Sequence, residues 1–420
     1  MSGRKNRIPE LDGLRVVMIF IVSVFHFWQQ SWLEPRLEIP ALGISESLDW
    51  LARTGYIWVD GTVLLSVFLL FLPWAKAMRT GGPNPDTRDF YFRRARRVLP
   101  GYWFIVLGHL FFIALPYGLY KTDAQMVKDL ATHLSFTFTR YSDTYLDTKL
   151  GGGAWTLAIL VQGYVLFPFM AAAVRKRPVL TLGAMLLVCF GFRSWCVWGL
   201  SDYRMVVNRL VNFLDVYVIG ILCAMGYTAL REWTAEPAGE GKPKKASRYL
   251  RETAATVLFA CCVLGLIRML KLQAVTGSQL QKFQMLYRPV FAVCFGGMIL
   301  SAPFMLRAFR LLLGNPVTRF LSGISMNYYL VHQTAAVHLK TRLQLPFPVA
   351  DVTAIPYGHP VPWQRQYTAL CILVSLVMAA AVTYLVEKPG ARLFDRARKA
   401  VISSSAKRRG SSPPERRPAS

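Results

Sequence analysis

Charged residues are scarce in this chain of 420 residues, and acidic residues are the scarcer kind. Asp, Glu, Lys and Arg together make up 17% of the sequence, against roughly a quarter in a soluble domain. The seven cysteines lie inside apolar runs, without a secreted disulfide framework or the spacing of metal ligands. The six histidines also lack zinc-like spacing, so the sequence predicts no metal. These absences argue against a soluble domain, a disulfide-stabilised secreted protein and a metalloenzyme.

Apolar residues dominate the rest of the sequence. Hydrophobic residues make up 54% of the chain, and its mean hydropathy is +0.33. Several apolar runs are long enough to cross a bilayer as helices, and they are continuous, whereas a β-barrel would alternate apolar and polar residues. We therefore predict an all-α polytopic membrane protein, a bundle of about ten transmembrane helices. The predicted spans are residues 14–33, 55–75, 99–116, 154–174, 179–199, 209–230, 253–270, 287–306, 317–338 and 368–386.

Basic residues outnumber acidic residues, and their placement predicts the topology. The formal net charge is +26, which would suggest nucleic acid binding in a soluble protein. About two thirds of the 49 lysines and arginines, however, fall in alternate segments between the predicted spans, as the positive-inside rule expects. The sequence therefore predicts both termini in the cytoplasm. It also predicts a multi-pass protein of the cell (plasma or inner) membrane that contacts the lipid bilayer and binds no nucleic acid.

The chain divides into one membrane domain and a short appendage. Residues 1–392 are predicted to form the transmembrane domain, which includes a flexible cytoplasmic loop over residues 234–248. Residues 393–420 are rich in basic residues, Ser and Pro, and are predicted to form a disordered cytoplasmic tail. The longest outer connections are residues 117–153 and the proline-rich residues 339–367. We expect these two connections to select the acceptor.

Two polar residues share one face of the first predicted helix. Arg15 precedes His26 by eleven residues, so at ~100° per residue both side chains project from one face, about 16 Å apart along the axis. Such residues are costly in hydrocarbon and mark functional sites. His26 alone is equally compatible with a packing hydrogen bond. With Arg15 and Asp12 at the inner end of the same helix, we favour a general base that activates an acceptor hydroxyl.

Four arginines lie within residues 93–97, at the start of the third predicted span. A positive-inside signal alone accounts for such a run. Arg94 and Arg97 are nevertheless spaced i, i+3, so both would project from one helix face on the same side of the membrane as Arg15. Because arginine binds phosphate in a bidentate manner, these three residues are predicted to bind an anionic cytoplasmic cofactor.

Six short blocks occur in order between residues 11 and 389. They are Leu11-Asp12-Gly13-Leu14-Arg15 with His26, Val59-Asp60 with Leu65-Ser66-Val67-Phe68, Arg94 and Arg97 before Val98-Leu99-Pro100, Trp155-Thr156-Leu157 with Tyr164 and Phe167-Pro168, Ser325-Met326-Asn327-Tyr328-Tyr329-Leu330-Val331-His332, and Glu387-Lys388-Pro389. Each block is weak alone. In this order they resemble the acyltransferase 3 family of integral membrane acyltransferases, although Val67 stands where glycine is usual.

The resemblance implies an O-acyltransferase with ten membrane helices. Such an enzyme takes an acyl group, acetyl by default, from cytoplasmic acyl-CoA and transfers it to a hydroxyl on the outer face. The acceptor would be a cell-envelope glycan, a glycolipid or a small hydroxyl compound. The family's functional Arg and His carry over to Arg15 and His26, and its arginine pair to Arg94 and Arg97. Acyl-CoA, most often acetyl-CoA, would be the co-substrate of the three arginines.

The remaining blocks supply further candidates. Asp12, Ser66, Trp155, Asn327 and His332 are predicted to bind substrate, because each is a polar or aromatic residue in a block near a predicted span. Asn327 is also a candidate for stabilising the oxyanion. For His332 a structural hydrogen bond, for example to a residue one turn earlier, is the stronger interpretation.

One departure from the family pattern bears on activity. Relatives commonly carry one or two glutamates where this chain has Leu160 and Val161, and the neighbouring Gln162 cannot act as a carboxylate base. Asp60, which enters the second span from the outer side, is our candidate replacement and second catalytic residue. Arg193 and Asp215 are predicted to form an ion pair between helices, with an acceptor site as the alternative.

Two other classes of function compete with the enzyme. Intramembrane Arg, Asp and His also mark permeation paths, so a transporter or flippase of a small or lipid-linked substrate is an alternative. The absence of an inverted repeat from the sequence argues against it. Loss of the glutamates at Leu160 and Val161 would instead suit a catalytically inactive, acyltransferase-like scaffold.

Overall fold

The computed structural model describes residues 7–234, 245–345 and 362–410. Its α-helices, in chain order, are α1 (Glu10–Ser31), α2 (Asp49–Arg53), α3 (Trp58–Thr80), α4 (Thr87–His109), α5 (Asp123–Leu134), α6 (Ser142–Tyr145), α7 (Trp155–Lys176), α8 (Pro178–Gly199), α9 (Leu214–Trp233), α10 (Lys245–Ala274), α11 (Leu280–Ser301), α12 (Arg307–Leu313), α13 (Pro316–Arg342), α14 (Pro362–Ala381) and α15 (Lys388–Gly410). Two π-helical turns, Leu110–Ala114 and Val382–Glu387, continue α4 and α14.

Strand structure in the described residues is limited to one hairpin outside the helix bundle. Strands β1 (Arg36–Ile39) and β2 (Ile44–Ser47) pair in antiparallel register, with Arg36 opposite Ser47. The turn between them includes Gly43 at a φ of 64°, a left-handed conformation that glycine adopts without steric cost. The sequence offers no strong periodicity for this hairpin, and we did not predict it. It lies in the connection between α1 and α2.

The long helices confirm the predicted all-α membrane fold. Within the described residues, nine helical segments are long and apolar enough to cross a bilayer. Each of the ten predicted spans lies mainly within a helix. Helix α13, which contains the predicted span 317–338, is not among these nine: it has 27 residues, enough to span, but Ser, Thr, Asn and His residues lower its hydropathy. Buried polar residues in a spanning helix are costly unless they have partners, so the contacts of α13 are a guide to the functional site.

Helices α1 and α13 lie side by side at the centre of the bundle. Helix α1 packs against α13, α3 and α12, and α13 packs on its other side against α14. Helices α3 and α9 form another extensive contact, as do α10 and α11. One large cluster of buried apolar side chains runs through these helices, with Met18, Val22 and Phe68 fully buried in it. The polar residues of α1 are therefore fixed against a well-packed core.

The C-terminal region differs from the prediction. A disordered tail was expected from residue 393, but α15 continues to Gly410. Its sequence is rich in Ala, Arg and Lys, which have high helix propensity, and basic composition alone does not prevent a helix. Residues 411–420 lie outside the described part. The predicted flexible loop over residues 234–248 also falls mostly outside it, because the structure describes no residue between 234 and 245.

The packing of α1 on α12 requires a glycine. A Cβ atom added to Gly13 would lie 2.7 Å from the Cα of Leu313 and would also contact its carbonyl oxygen. Both contacts are with backbone, which cannot rotate away as a side chain can. We expect Gly13→Ala to push the two helices apart and lower the thermal unfolding midpoint in detergent, as overpacking that costs about 1 to 3 kcal/mol does.

The matched control is Gly191→Ala on α8. A Cβ atom there meets no neighbouring atom within 4 Å, and alanine favours a helix over glycine by about 1 kcal/mol. Its midpoint should stay unchanged or rise. An equal loss of stability in both variants would contradict the close approach of α1 and α12.

Candidate active site

The three predicted phosphate-binding arginines line one cavity. Arg15 on α1 and Arg94 and Arg97 on α4 border a volume of about 360 Å³. Helices α3, α7 and α13 also border this cavity and contribute polar side chains that include Ser66 and Tyr164. We call it the inner cavity, because its three arginines lie toward the predicted cytoplasmic ends of α1 and α4. Three guanidinium groups around one space favour an anionic ligand.

Hydrogen bonds between α1 and α13 position Arg15. Its guanidinium lies 3.4 Å from Ser322 Oγ, and Ser322 donates to a carboxylate oxygen of Asp12 at 2.9 Å. Asp12 also accepts from Arg7 Nε at 2.7 Å. Asp12, predicted to bind substrate, is thus nearly buried and engaged with these two residues. In this structure Asp12 positions Arg15 indirectly, through the hydroxyl of Ser322.

A second support holds Arg97. Its guanidinium forms an ion pair with Glu387, whose other carboxylate oxygen accepts from the Asn327 amide at 2.7 Å. The same amide nitrogen donates to Thr383 Oγ1 at 2.8 Å. Thr383 and Glu387 belong to the π-helical turn after α14, a distortion that often marks functional sites. The amide of Asn327, predicted to stabilise an oxyanion, therefore donates to Glu387, the carboxylate that pairs with Arg97.

His26 borders a different cavity of about 470 Å³. Trp155, a predicted substrate-binding residue, lines it together with aromatic, amide and guanidinium side chains from the predicted outer half of the bundle. Its polar and aromatic members include Trp28, Gln29, Arg53, Tyr56, Asn208, Gln281 and Gln284. Amides offer both donors and acceptors, and aromatic rings offer flat apolar surfaces. This outer cavity therefore suits a neutral ligand with many hydroxyls.

Tyr329 lines both cavities. Its hydroxyl lies 2.6 Å from Oγ1 of Thr156, which lines the inner cavity. Trp155, which directly precedes Thr156 in α7, lines the outer cavity. The hydroxyl pair therefore stands where the two spaces adjoin. Sequence reasoning quoted Tyr329 within a block but assigned it no role. Its position becomes evident only when α7 packs against α13.

His26 and His332 form a hydrogen-bonded pair between α1 and α13. Nδ1 of His26 lies 2.9 Å from Nε2 of His332 and 3.1 Å from the Val22 carbonyl oxygen. Nδ1 of His332 lies 3.2 Å from the Tyr328 carbonyl oxygen. A carbonyl oxygen only accepts hydrogen bonds, so each Nδ1 carries the proton. One neutral arrangement then satisfies all three contacts, with the single His26 Nδ1–H shared between the Val22 carbonyl oxygen and His332 Nε2.

This tautomer determines what His26 can do. With the proton on Nδ1, Nε2 of His26 keeps its lone pair and is able to accept a proton. His26 is partly accessible through the outer cavity, whereas His332 is fully buried. The structural hydrogen bond expected for His332 is present, and the ring also orients His26. We had predicted substrate contact for His332, but its ring is occupied by His26 and Tyr328.

Asp60 lies in a buried ionic cluster. Its carboxylate is 3.1 Å from Arg288 Nε, and both side chains are 0% exposed. Arg288 also donates to the carbonyl oxygens of Val207 and Asn212 and lies over the Phe213 ring, 4.0 Å from its centroid. The predicted catalytic replacement is thus occupied as an ion-pair partner. The Arg193–Asp215 ion pair, predicted from sequence, is present at 2.8 Å in the same region.

A buried carboxylate organises the outer connection that leads into α7. Asp129 on α5 accepts from Tyr120, Thr148 and the Lys149 amide, and His133 Nδ1 lies 3.1 Å away. Burial raises the pKa of Asp129, but the hydrogen bonds from His133, Lys149 and Tyr120 outweigh it and lower the pKa below its ordinary value. The ionised form therefore stabilises the fold above the ordinary carboxyl pKa, and this contribution is lost as the pH falls through the lowered pKa.

The described residues hold no cluster of three or more His, Cys, Asp or Glu side chains that could bind a metal ion. The polar groups that line the two cavities or orient His26 are the arginines, the histidine pair and the Tyr329–Thr156 hydroxyl pair.

The sequence profile of the acyltransferase 3 family, described as an acyltransferase domain, matches residues 8–384. This match covers nearly the whole chain and includes both cavities. The chain belongs to the acyltransferase 3 family. The resemblance predicted from the six blocks is confirmed, and with it a multi-pass membrane acyltransferase.

One relative of known description is distant. The chain is 26% identical over 168 residues to the "Putative peptidoglycan O-acetyltransferase YrhL" of Bacillus subtilis (strain 168). The matched region covers 38% of this chain and 23% of that protein, so the chain spans less than a quarter of the relative's length. No solved structure matches the chain significantly.

The ionic cluster generates a stability prediction for Asp60. Removing one partner of a buried pair leaves an uncompensated charge, so Asp60→Ala should lower the stability of the folded protein by about 3 to 5 kcal/mol. Adding Arg288→Met, which removes the orphaned charge, should recover most of the loss. Thermal unfolding in detergent measures both effects.

Asp202→Ala is the control for this prediction. It breaks a solvent-exposed pair with Arg204 at 2.8 Å and should change the unfolding midpoint little, because exposed pairs contribute little to stability. If Asp60→Ala were as stable as the wild type, the buried pair would have no structural role, and Asp60 would again be free for catalysis.

Proposed function

We propose that this protein is an O-acyltransferase that moves an acyl group, by default acetyl, from acyl-CoA in the inner cavity to a hydroxyl in the outer cavity. The observation that carries the proposal is that the two cavities adjoin at Tyr329, with the arginines on one side and His26 on the other. A donor that is anionic at one end and reactive at the other fits this arrangement. The active residue lies between two substrates that approach from opposite sides.

The arginines suit the phosphate groups of acyl-CoA. Arg15, Arg94 and Arg97 border the inner cavity, and Arg15 lies about 16 Å along α1 from His26. The arm that connects the phosphates to the thioester would run along this cavity, past Ser66 and Thr156, to the junction. The predicted cytoplasmic side is where acyl-CoA is made available, so the proposed donor approach agrees with the charge-based topology.

The outer cavity suits a hydroxylated acceptor. Gln281, Gln284 and Asn208 supply amide donors and acceptors, while Trp155 and Tyr56 supply aromatic faces. We propose a cell-envelope glycan or glycolipid as the acceptor and the cell membrane as the location. The name of the Bacillus subtilis relative, which refers to peptidoglycan O-acetylation, supports this class. The departure at Leu160 and Val161 means that the acceptor-orienting group of this chain is not a carboxylate at those positions.

The proposed reaction uses His26 as the base. The acceptor oxygen attacks the thioester carbonyl carbon while its proton passes to Nε2 of His26. The new C–O bond forms, the C–S bond breaks, and the CoA sulfur takes the proton back from the imidazolium. His332 accepts from Nδ1–H throughout, which holds the ring in place. Tyr329 lines both cavities and its hydroxyl bonds that of Thr156, so we assign this pair the stabilisation of the developing oxyanion, in place of Asn327.

The central test replaces the base. In membranes that contain His26→Gln at wild-type level, transfer of radiolabelled acetyl from acetyl-CoA to envelope glycan should fall at least 100-fold, since the side chain loses its proton-accepting nitrogen. His338→Gln, on α13 but outside the histidine pair, should keep its activity. Retained transfer in His26→Gln would contradict the proposal.

The same assay separates the alternative functions. Two adjoining cavities would also suit a transporter, which would move the acceptor across the membrane without attaching label. An inactive scaffold would show neither movement nor label in any variant. Covalent label on the glycan that depends on His26 supports the enzyme alone.

The donor site generates a kinetic prediction. Arg94→Gln should raise the apparent KM for acetyl-CoA about tenfold with little change in kcat, because phosphate binding contributes equally to ground state and transition state. Arg97 is a less clean target, since its loss also leaves Glu387 buried without its cation. Steady-state kinetics in purified membranes measure the effect.

Arg93→Gln is the matched control. Arg93 precedes Arg94 by one residue, but it is exposed and pairs with Asp89 on its own helix. Its KM should stay near the wild-type value. Equal increases in KM for both variants would indicate a general electrostatic effect of the basic run and would contradict a specific phosphate site.

A further inference from the structure

A further cavity in the described residues lies away from the proposed active site. Its volume is about 490 Å³, and it lies between the end of α9, the start of α10, the end of α11 and α12. Its lining shares no residue with the inner cavity. All of these helix ends are on the predicted cytoplasmic side. The mechanism proposed above does not use it.

One end of this cavity is cationic. Arg248 and Arg310 flank a single carboxylate, Glu252, at 3.0 and 3.5 Å. Arg251 lies over the Trp233 ring, 5.6 Å from its centroid, and within the described residues it pairs with no carboxylate. Nε of Arg310 is buried and has no hydrogen-bond partner there. Three guanidinium groups and one carboxylate leave an excess of positive charge and an unsatisfied buried donor.

The other end of the cavity is apolar and faces outward. Ala254, Ala255 and Leu258 on α10 form one side, and Leu300 and Phe304 form the other. Leu258 is 47% exposed and Trp233 is 69% exposed. Helix α10 buries little of its surface against the rest of the described chain, so this side of the bundle is where lipid would lie. Tryptophan and arginine together are typical of the level of the lipid headgroups.

A neighbouring cavity extends the cationic end. It has a volume of about 320 Å³, shares Thr234, Pro303, Phe304 and Arg310 with the first, and adds two arginines, Arg7 and Arg231, and one acidic residue, Glu10. The basic residues near the membrane surface therefore extend beyond the first cavity. This distribution, basic at the membrane surface and apolar toward the bilayer core, is that of a pocket for an anionic lipid.

We propose that the space between α9, α10, α11 and α12 is a binding site for an anionic phospholipid of the inner leaflet. The phosphate contacts Arg251 and Arg310, and an acyl chain lies along Leu258 and Leu300. A soluble anion would satisfy the arginines but would leave the apolar half of the cavity unfilled. A phospholipid satisfies both, which is why we favour it. The site goes beyond the acyl-transfer function and does not depend on it.

The test measures lipid binding by the full-length protein in a neutral detergent. Phosphatidylglycerol and phosphatidylcholine with the same acyl chains are titrated while the thermal unfolding midpoint is recorded. Phosphatidylglycerol should raise the midpoint saturably, and less so at high salt, whereas phosphatidylcholine should not. The double variant Arg251→Gln/Arg310→Gln should weaken the apparent affinity for phosphatidylglycerol roughly 30-fold, or about fivefold for each arginine lost.

Two further arms complete the design. Arg177→Gln, which removes an exposed arginine on the same predicted side between α7 and α8, should keep wild-type affinity. Leu258→Trp fills the apolar half of the cavity without changing its charge and should also weaken binding of phosphatidylglycerol. This variant tests the site independently if the double variant fails to fold. Unchanged affinity in Leu258→Trp, or equal binding of soluble glycerol phosphate, would overturn the lipid assignment. Equal affinity in the double variant would overturn the location.

Discussion

The hydrogen bond between His26 and His332 is the interaction on which the proposed chemistry depends. It joins α1 to α13 at the centre of the bundle and, through two backbone carbonyls, fixes the proton of each ring on Nδ1. His26 Nε2 is left as the proton acceptor beside the outer cavity. A histidine without such a partner would exchange between tautomers, and only one of them is a base at Nε2. The hydrogen bond thus gives His26, a polar side chain that is costly to bury in hydrocarbon, a partner that also fixes its orientation.

Helix α13 has further polar side chains along its length that are hydrogen-bonded to neighbouring segments. Its polar residues lower its hydropathy, and these side chains find partners on α1, α7 and the segment after α14. The contacts are Ser322 with Asp12, Asn327 with Glu387, Tyr328 with Ser23, Tyr329 with Thr156 and His332 with His26. Read from the predicted inner end outward, they first support the arginines, then divide the cavities, and then orient the base. Structural support and proposed chemistry therefore share one helix.

Much of the fold follows from the sequence because apolar length and helix periodicity are local properties. The ten predicted spans and the common face of Arg15 and His26 needed no tertiary information. The partners of the predicted site residues did, because they lie far along the chain. Asp60 meets Arg288, and Arg97 meets Glu387, through helix packing that no spacing rule contains. The same reason explains why Tyr329 was missed, and why Asn327 was assigned to an oxyanion when its amide binds Glu387.

The most direct measurement of the central claim is the tautomer of His26 in the membrane-embedded protein. With [15N]histidine labelling, solid-state NMR distinguishes protonated from unprotonated ring nitrogens, and a His26→Gln variant assigns the His26 signals among the six histidines. The account predicts a neutral ring with the proton on Nδ1 and a bare Nε2, and a change in the His332 Nε2 signal when its donor is removed. A proton on Nε2 of His26, or a His332 signal that is unaffected by the variant, would contradict it.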